Sequence, residues 1–146
     1  MNGHGLLNNV EIRQVNDPVA AGSTINDNSD RIDMAGYESC MFVTPITDSV
    51  DTGVAALTVE SNTVDSDTGM VAISGAVATV TSGANDDLNG TLLAVEVHKP
   101  SKRYIQGVLT SATANIAFGD TIAILKPHRV PVTQGATVSA SSFVSD

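Results

Sequence analysis

The chain predicts an all-β domain built as an antiparallel β-sandwich, and three observations lead there. Thr, Val, Ala, Ser and Gly dominate, while long windows of Leu, Glu, Lys and Arg with apolar residues at i, i+3 and i+4 are missing, so the helical period is absent. Short apolar or alternating runs recur instead, separated by turn chemistry. A length of 146 residues suits one domain, which at this size buries roughly 68 to 70% of the surface its unfolded chain exposes and needs no covalent staple.

The expected strands follow in order. Residues 10–15 and 31–34 are short apolar-polar alternations, and 38–46 is a longer run through Cys40, Met41, Phe42 and Val43. Residues 54–60, 70–74 and 76–81 are rich in Val, Ala and Thr, the last two divided at Gly75. Asn89-Gly90 supplies the positive φ of a tight turn. The next strand, 92–98, sets Leu93, Val95 and Val97 on one face and Glu96 and His98 on the other, the exposed one. Lys99-Pro100-Ser101-Lys102 reads as a turn with Pro at its second position. On residues 103–110, Ile105, Gly107 and Leu109 make the inner face. The other face (Tyr104, Gln106, Val108, Thr110) is mixed, fit for a partner or for use within one sandwich. Strands at 115–118 and 121–126 are divided by Gly119-Asp120. An arm with the first strand (1–20), a sandwich (21–127) and an extended arm (128–146) divide the chain, because residues 1–9 are Gly/Asn-rich and Pro127 and Pro131 open a Ser/Thr/Ala tail. Such a tail either frays or lies on a neighbouring subunit.

Charge narrows the function classes. The net charge is −9, yet residues 1–98 hold 14 acids against two bases, while 99–146 hold five bases against two acids. An acidic chain is a poor general binder of nucleic acid, because neutralising phosphates needs a basic field. The local patch of Lys99, Lys102, Arg103, Lys126 and Arg129 either meets an acidic protein surface or forms a solvated rim that offsets the chain's own acids. Cys40 is the only cysteine, so no intramolecular disulfide forms, and its apolar run predicts a buried, inert thiol. The amino-terminal residues lack the basic and long apolar regions of a signal peptide, and no run reaches the ~18 apolar residues of a membrane span.

Residues 98–138 carry the one recognisable pattern. A basic turn leads into Lys102, Arg103, Tyr104 and Ile105. A Thr/Ala/Asn link, the apolar strand 121–125 and the Pro-rich exit Lys126-Pro127-His128-Arg129 to Pro131-Val132-Thr133-Gln134 follow. That order resembles the small jelly-roll cement or decoration proteins that coat the heads of tailed bacteriophages. The likeness extends over residues 23–137 and is most specific at 102–105 and 127–134. It implies a jelly-roll-like sandwich with extended arms and a non-enzymatic structural role on the outer surface of the virion head, after synthesis in the host cytoplasm. The implied partners are the major capsid protein and the chain itself, as a homodimer first and a trimer second, with no direct nucleic-acid or membrane contact. Lys102, Arg103, Tyr104, Lys126 and Arg129, with Val138, Phe143 and Val144 of the arm, are the expected interface.

Chemistry-bearing motifs are few. His4, His98 and His128 are scattered, and no nucleophile elbow, zinc-protease helix, paired-cysteine motif or phosphate-cradling loop occurs, so neither a catalytic group nor a cofactor is expected. Asp65-Ser66-Asp67-Thr68-Gly69 imitates the opening of a calcium loop but lacks the closing Glu, and Asp-Gly-rich sequence is what any polar β-turn needs. Asn26–Asn28 with Ser29-Asp30, and Asn85-Asp86-Asp87, read the same way. The alternative function is a carbohydrate- or cell-surface-binding β-sandwich module. Sugar platforms want exposed rings, however, and the chain has no Trp and five aromatics in all.

Overall fold

The structure, a computed structural model, describes residues 5–145, so His4 and Asp146 lie outside the described residues. Eleven strands and one helical turn follow in order among them: α1 (Leu6–Asn9), β1 (Glu11–Asn16), β2 (Val19–Gly22), β3 (Asn26–Asn28), β4 (Ile32–Asp33), β5 (Tyr37–Ser49), β6 (Val54–Asn62), β7 (Val71–Thr81), β8 (Leu92–His98), β9 (Tyr104–Ala112), β10 (Ile116–Phe118) and β11 (Thr121–Pro127). Helix is confined to α1, four residues in a segment the sequence assigns to an arm.

Two antiparallel sheets pack face to face as a β-sandwich. Sheet 1 runs β1-β11-β5-β10-β2, with β8 pairing the first half of β5; sheet 2 runs β3-β9-β6-β7, with β4 beside β9. The long β5 organises sheet 1, since β11 and β8 flank residues 37–45 while β10 takes residues 46–49.

Alternation decides which side of each strand enters the core. Cys40, Phe42 and Ile46 of β5, Leu93, Val95 and Val97 of β8, and Ala123 and Leu125 of β11 point inward from sheet 1. Ala55, Leu57 and Val59 of β6 and Ile105 and Leu109 of β9 meet them from sheet 2. Gly107 lies where a side chain would collide: a Cβ there would fall 3.2 Å from Phe42 Cδ1 and 3.3 Å from Leu57 Cδ1. The large ring of Phe42 thus takes the space that glycine leaves. Burial pushes the Cys40 thiol up to about 12, so it stays protonated, as its apolar run implies.

One long edge of the sandwich is closed by the chain itself. Asp30 N donates to Val15 O and Asn16 Nδ2 to Asp27 Oδ2, which ties β1 to the β3–β4 edge. Ser29 bridges the gap between β3 and β4: its N donates to Gly107 O, and its Oγ accepts from Gly107 N. The second face of β9 is partly used within the chain, with Gln106 1% and Val108 6% exposed, while Tyr104 and Thr110 at its two ends are half-buried.

Candidate functional site

The turns of one end of the sandwich bring the sequence-predicted bases together. Lys99 N donates to Glu38 O, Met34 N to Arg103 O and His128 N to Gly36 O, so the 34–37 turn, the 99–103 turn and the start of the carboxy-terminal arm converge. They frame an open cleft of about 490 Å³ lined by Lys99, Lys102, Arg103 and His128 over a floor of Met34 and Tyr37. Lys99 adopts a positive φ of 49°, uncommon for a side chain with a Cβ, which marks this turn as held by its surroundings.

Not every base there is free to meet a partner. Arg103 forms a two-pronged pair with Asp33, Nε to Oδ1 and Nη2 to Oδ2 both at 2.8 Å, and lies 5.4 Å from the centre of the Tyr104 ring. Lys126 Nζ sits 3.5 Å from Glu38 Oε2. Among the described residues, Lys99, Lys102 and Arg129 make no ion pair, so they carry the uncompensated positive charge at this end. Both tyrosines are engaged in the same way: Tyr37 donates to Glu11 and accepts from Arg13, and Tyr104 lies beneath Arg103. Neither offers a bare ring to a sugar.

The bond from Arg103, aided by the Ala35 amide, holds the Asp33 carboxyl down to about 2, from an ordinary 3.8. A depressed folded-state value adds stability that is present above the unfolded value and lost as pH falls through the folded one. The parent therefore loses more melting temperature than Asp33→Asn on acidification from about pH 4 to about pH 2. The pair is exposed, so the difference is small. Parallel melting curves for both proteins are the check.

The carboxy-terminal arm is docked over its first half and loose over its second. Gln134 acts as a strand surrogate on β1: its Oε1 accepts from Ile12 N at 2.9 Å, while its Nε2 donates to Leu7 O and Val10 O at 3.0 and 2.7 Å. Val132 N adds a bond to Asn8 O. The arm thus covers the free edge of β1 in its own chain as far as Val138, which is half-buried. Beyond it, residues 139–145 make no hydrogen bond among the described residues. Phe143 rests against Gly5 yet stays 51% exposed, and Val144 is 79% exposed.

A further surface was not among the expected sites. The outward positions of sheet 1 are mostly apolar over four strands, with Gln14 and Glu96 the exceptions. One row, by strand register, is Ile12, Ile124, Met41 and Glu96; the next is Gln14, Ile122, Val43 and Ala94; Pro45 and Leu92 follow. Leu6, Leu7 and Val10 extend the surface past β1 and, with Ile12 and Ile124, line a hollow of about 280 Å³ made wholly of aliphatic side chains. Lys126 and His98 border it at the end that carries the basic cleft. The outer face of sheet 2 is the opposite in character. Thr58, Thr110 and Glu60 lie there, and Asp65 and Asp67 clamp Arg31 at 2.6 and 2.7 Å, so the loop that imitates a calcium site spends its carboxylates on a guanidinium.

Compared with known proteins, the chain matches no family model and has no significant match among curated proteins. What the molecule offers is therefore its own geometry: a sandwich with one apolar outer face, one hydroxylated and acidic outer face, and a basic end between them. No group of three or more metal-ligating side chains gathers among the described residues, and no helix there is long and apolar enough to cross a membrane.

Proposed function

We propose that this chain is a non-enzymatic structural protein of a tailed-phage virion. It lies on the outer surface of the assembled head and ties neighbouring major capsid subunits together. The observation that carries this reading is the apolar outer face of sheet 1. A domain with no partner gains little from an outer face on which Ile12, Ile122, Ile124, Met41, Val43, Pro45 and Leu92 adjoin with only Gln14 and Glu96 among them, whereas a broad protein shell supplies the area to cover it. The resemblance of residues 98–138 to head cement proteins supports the same partner, and the polar outer face of sheet 2 suits the side left in water.

The mechanism is mass action. A ligand that binds the assembled lattice and not its dissociated subunits stabilises the lattice by RT ln(1 + [L]/Kd), roughly 2.7 kcal/mol per site at a hundredfold excess over Kd. Repeated over a shell, that resists outward pressure from packaged DNA.

The direct test is to mix the purified protein with heads assembled from the major capsid protein of the same genome and pellet them. Retention on heads, with heads that disassemble at a higher temperature, is expected; a protein left wholly in the supernatant overturns the reading. Two variants separate the contributions. Lys102→Ala/Arg129→Ala weakens retention and flattens its salt dependence, because it removes two charges that make no ion pair among the described residues of the free protein and act through the solvent. Deleting residues 139–146 leaves the Gln134 clamp intact and removes Phe143 and Val144, so it weakens retention about tenfold without changing the salt slope.

A further inference from the structure

Sheet 2 ends on β7, which pairs with β6 on one side and with no strand on the other among the described residues. Sheet 1 ends at β8 on the same side of the sandwich, opposite the side that Gln134 and the β1–β3 contacts close. A free edge presents a row of unmet N–H and C=O groups, and stable monomers blunt long ones with lysine, proline or inward charge. Strand β8 carries Glu96 and His98. Strand β7 reads VAISGAVATVT, with no charge and no proline, and Val71 and Val77 are 57% and 49% exposed. Its irregularity is confined to the register shift opposite Val59, near Gly75 at φ 81°. From Val77, opposite Thr58, to Thr81, opposite Val54, the ladder is regular.

We infer that residues 77–81 of β7 pair antiparallel with the same residues of a second copy, about a two-fold axis near Thr79, so that sheet 2 of one copy continues into sheet 2 of the other. Charge selects a second copy as the occupant. Each chain carries a net −9, and like charges set opposite each other across strands are destabilising. Residues 68–85, between Asp67 and Asp86, form the longest uncharged run in the sequence, and the unpaired edge lies inside it. Among the described residues it is the longest uncharged strand edge, eleven residues against the four of β2 at the far end of sheet 1, so it is where two such acidic molecules approach over the greatest length with no charged side chain opposed. Self-pairing also satisfies two identical edges at once and closes the assembly, as a two-fold contact does. An axis that relates antiparallel neighbours within a sheet stands perpendicular to that sheet. Both apolar faces of sheet 1 therefore point the same way.

The inference stands apart from the head-binding reading, because its test uses the free protein alone. Sedimentation equilibrium at micromolar concentration is expected to give twice the 15.0 kDa mass of one chain. Val77→Lys/Thr79→Lys changes two exposed positions and sets like charges across the axis, so it gives a folded monomer; Val77→Glu/Thr79→Glu does the same. Mixing the two variants restores a dimer with one chain of each, read by native mass spectrometry. Since that pairing needs both chains folded, it separates lost association from lost structure. A monomeric parent, a lysine variant that remains dimeric, or a mixture that fails to form the mixed dimer overturns the inference.

Discussion

Ile124→Asp is expected to abolish binding to undecorated heads while leaving the domain folded. Ile124 stands at the centre of the outward face, between Ile12 on β1 and Met41 on β5, and its side chain is half-buried in the free protein. Covering the rest of a half-buried aliphatic side chain of this size contributes about 1 kcal/mol, and a carboxylate trapped in its place adds a desolvation cost of several kcal/mol. The two together reach the factor of about 1,000 at which retention on pelleted heads disappears. In the free protein the new carboxylate turns to water, so the melting temperature changes little. Retention equal to the parent, with a normal melting curve, would move the contact off sheet 1 and leave the basic end and the distal arm as the docking surface. Were this face instead covered by a second copy, the variant would lose its dimer, whereas pairing through β7 leaves the dimer intact.

That face was half visible in the sequence. Residues 40–46 are apolar at both parities, with Met41, Val43 and Pro45 interleaved among Cys40, Phe42 and Ile46, and Ile122 and Ile124 alternate with Ala123 and Leu125 in the same way. Such runs belong to strands covered on both sides. No strand of the described residues covers that second side, and only register shows that the outward residues of four strands line up into one surface. Strand β8 was legible to the residue, because a single buried face imposes a clean alternation from Leu92 to His98. The three polar residues of β3 and the Val-Ala-Ala-Gly of β2 carry no such signal, since their partners β9 and β10 define them. The sequence divides β7 at Gly75, yet the strand passes through, because glycine's positive φ absorbs the irregularity without ending the pairing. The basic residues gather where the turn pattern implies, but nothing in the spacing says that Arg103 is bound to Asp33, 70 residues away. A salt bridge between distant segments exists only once β4 and β9 are in register.

The largest effect on stability is expected at the contact between the sheets. Phe42 is fully buried, so Phe42→Ala removes a ring from the centre of the core and costs about 3–5 kcal/mol, a fall in melting temperature on the order of 10 °C for a domain of this size. Gly107→Ala acts from the opposite wall. The backbone there has an ordinary φ, but the added methyl meets Phe42 Cδ1 at 3.2 Å and Leu57 Cδ1 at 3.3 Å, tighter than normal contact, and costs about 1–3 kcal/mol. The two changes are coupled with a definite sign. With the ring gone, the methyl added at position 107 occupies part of the space the ring left and no longer collides with it, so the double variant is less destabilised than the two single effects combined. Urea or thermal unfolding of the four proteins measures that coupling, and a favourable value of about 1 kcal/mol or more is expected for residues in direct contact. Strict additivity would mean that the ring and the added methyl do not share one space.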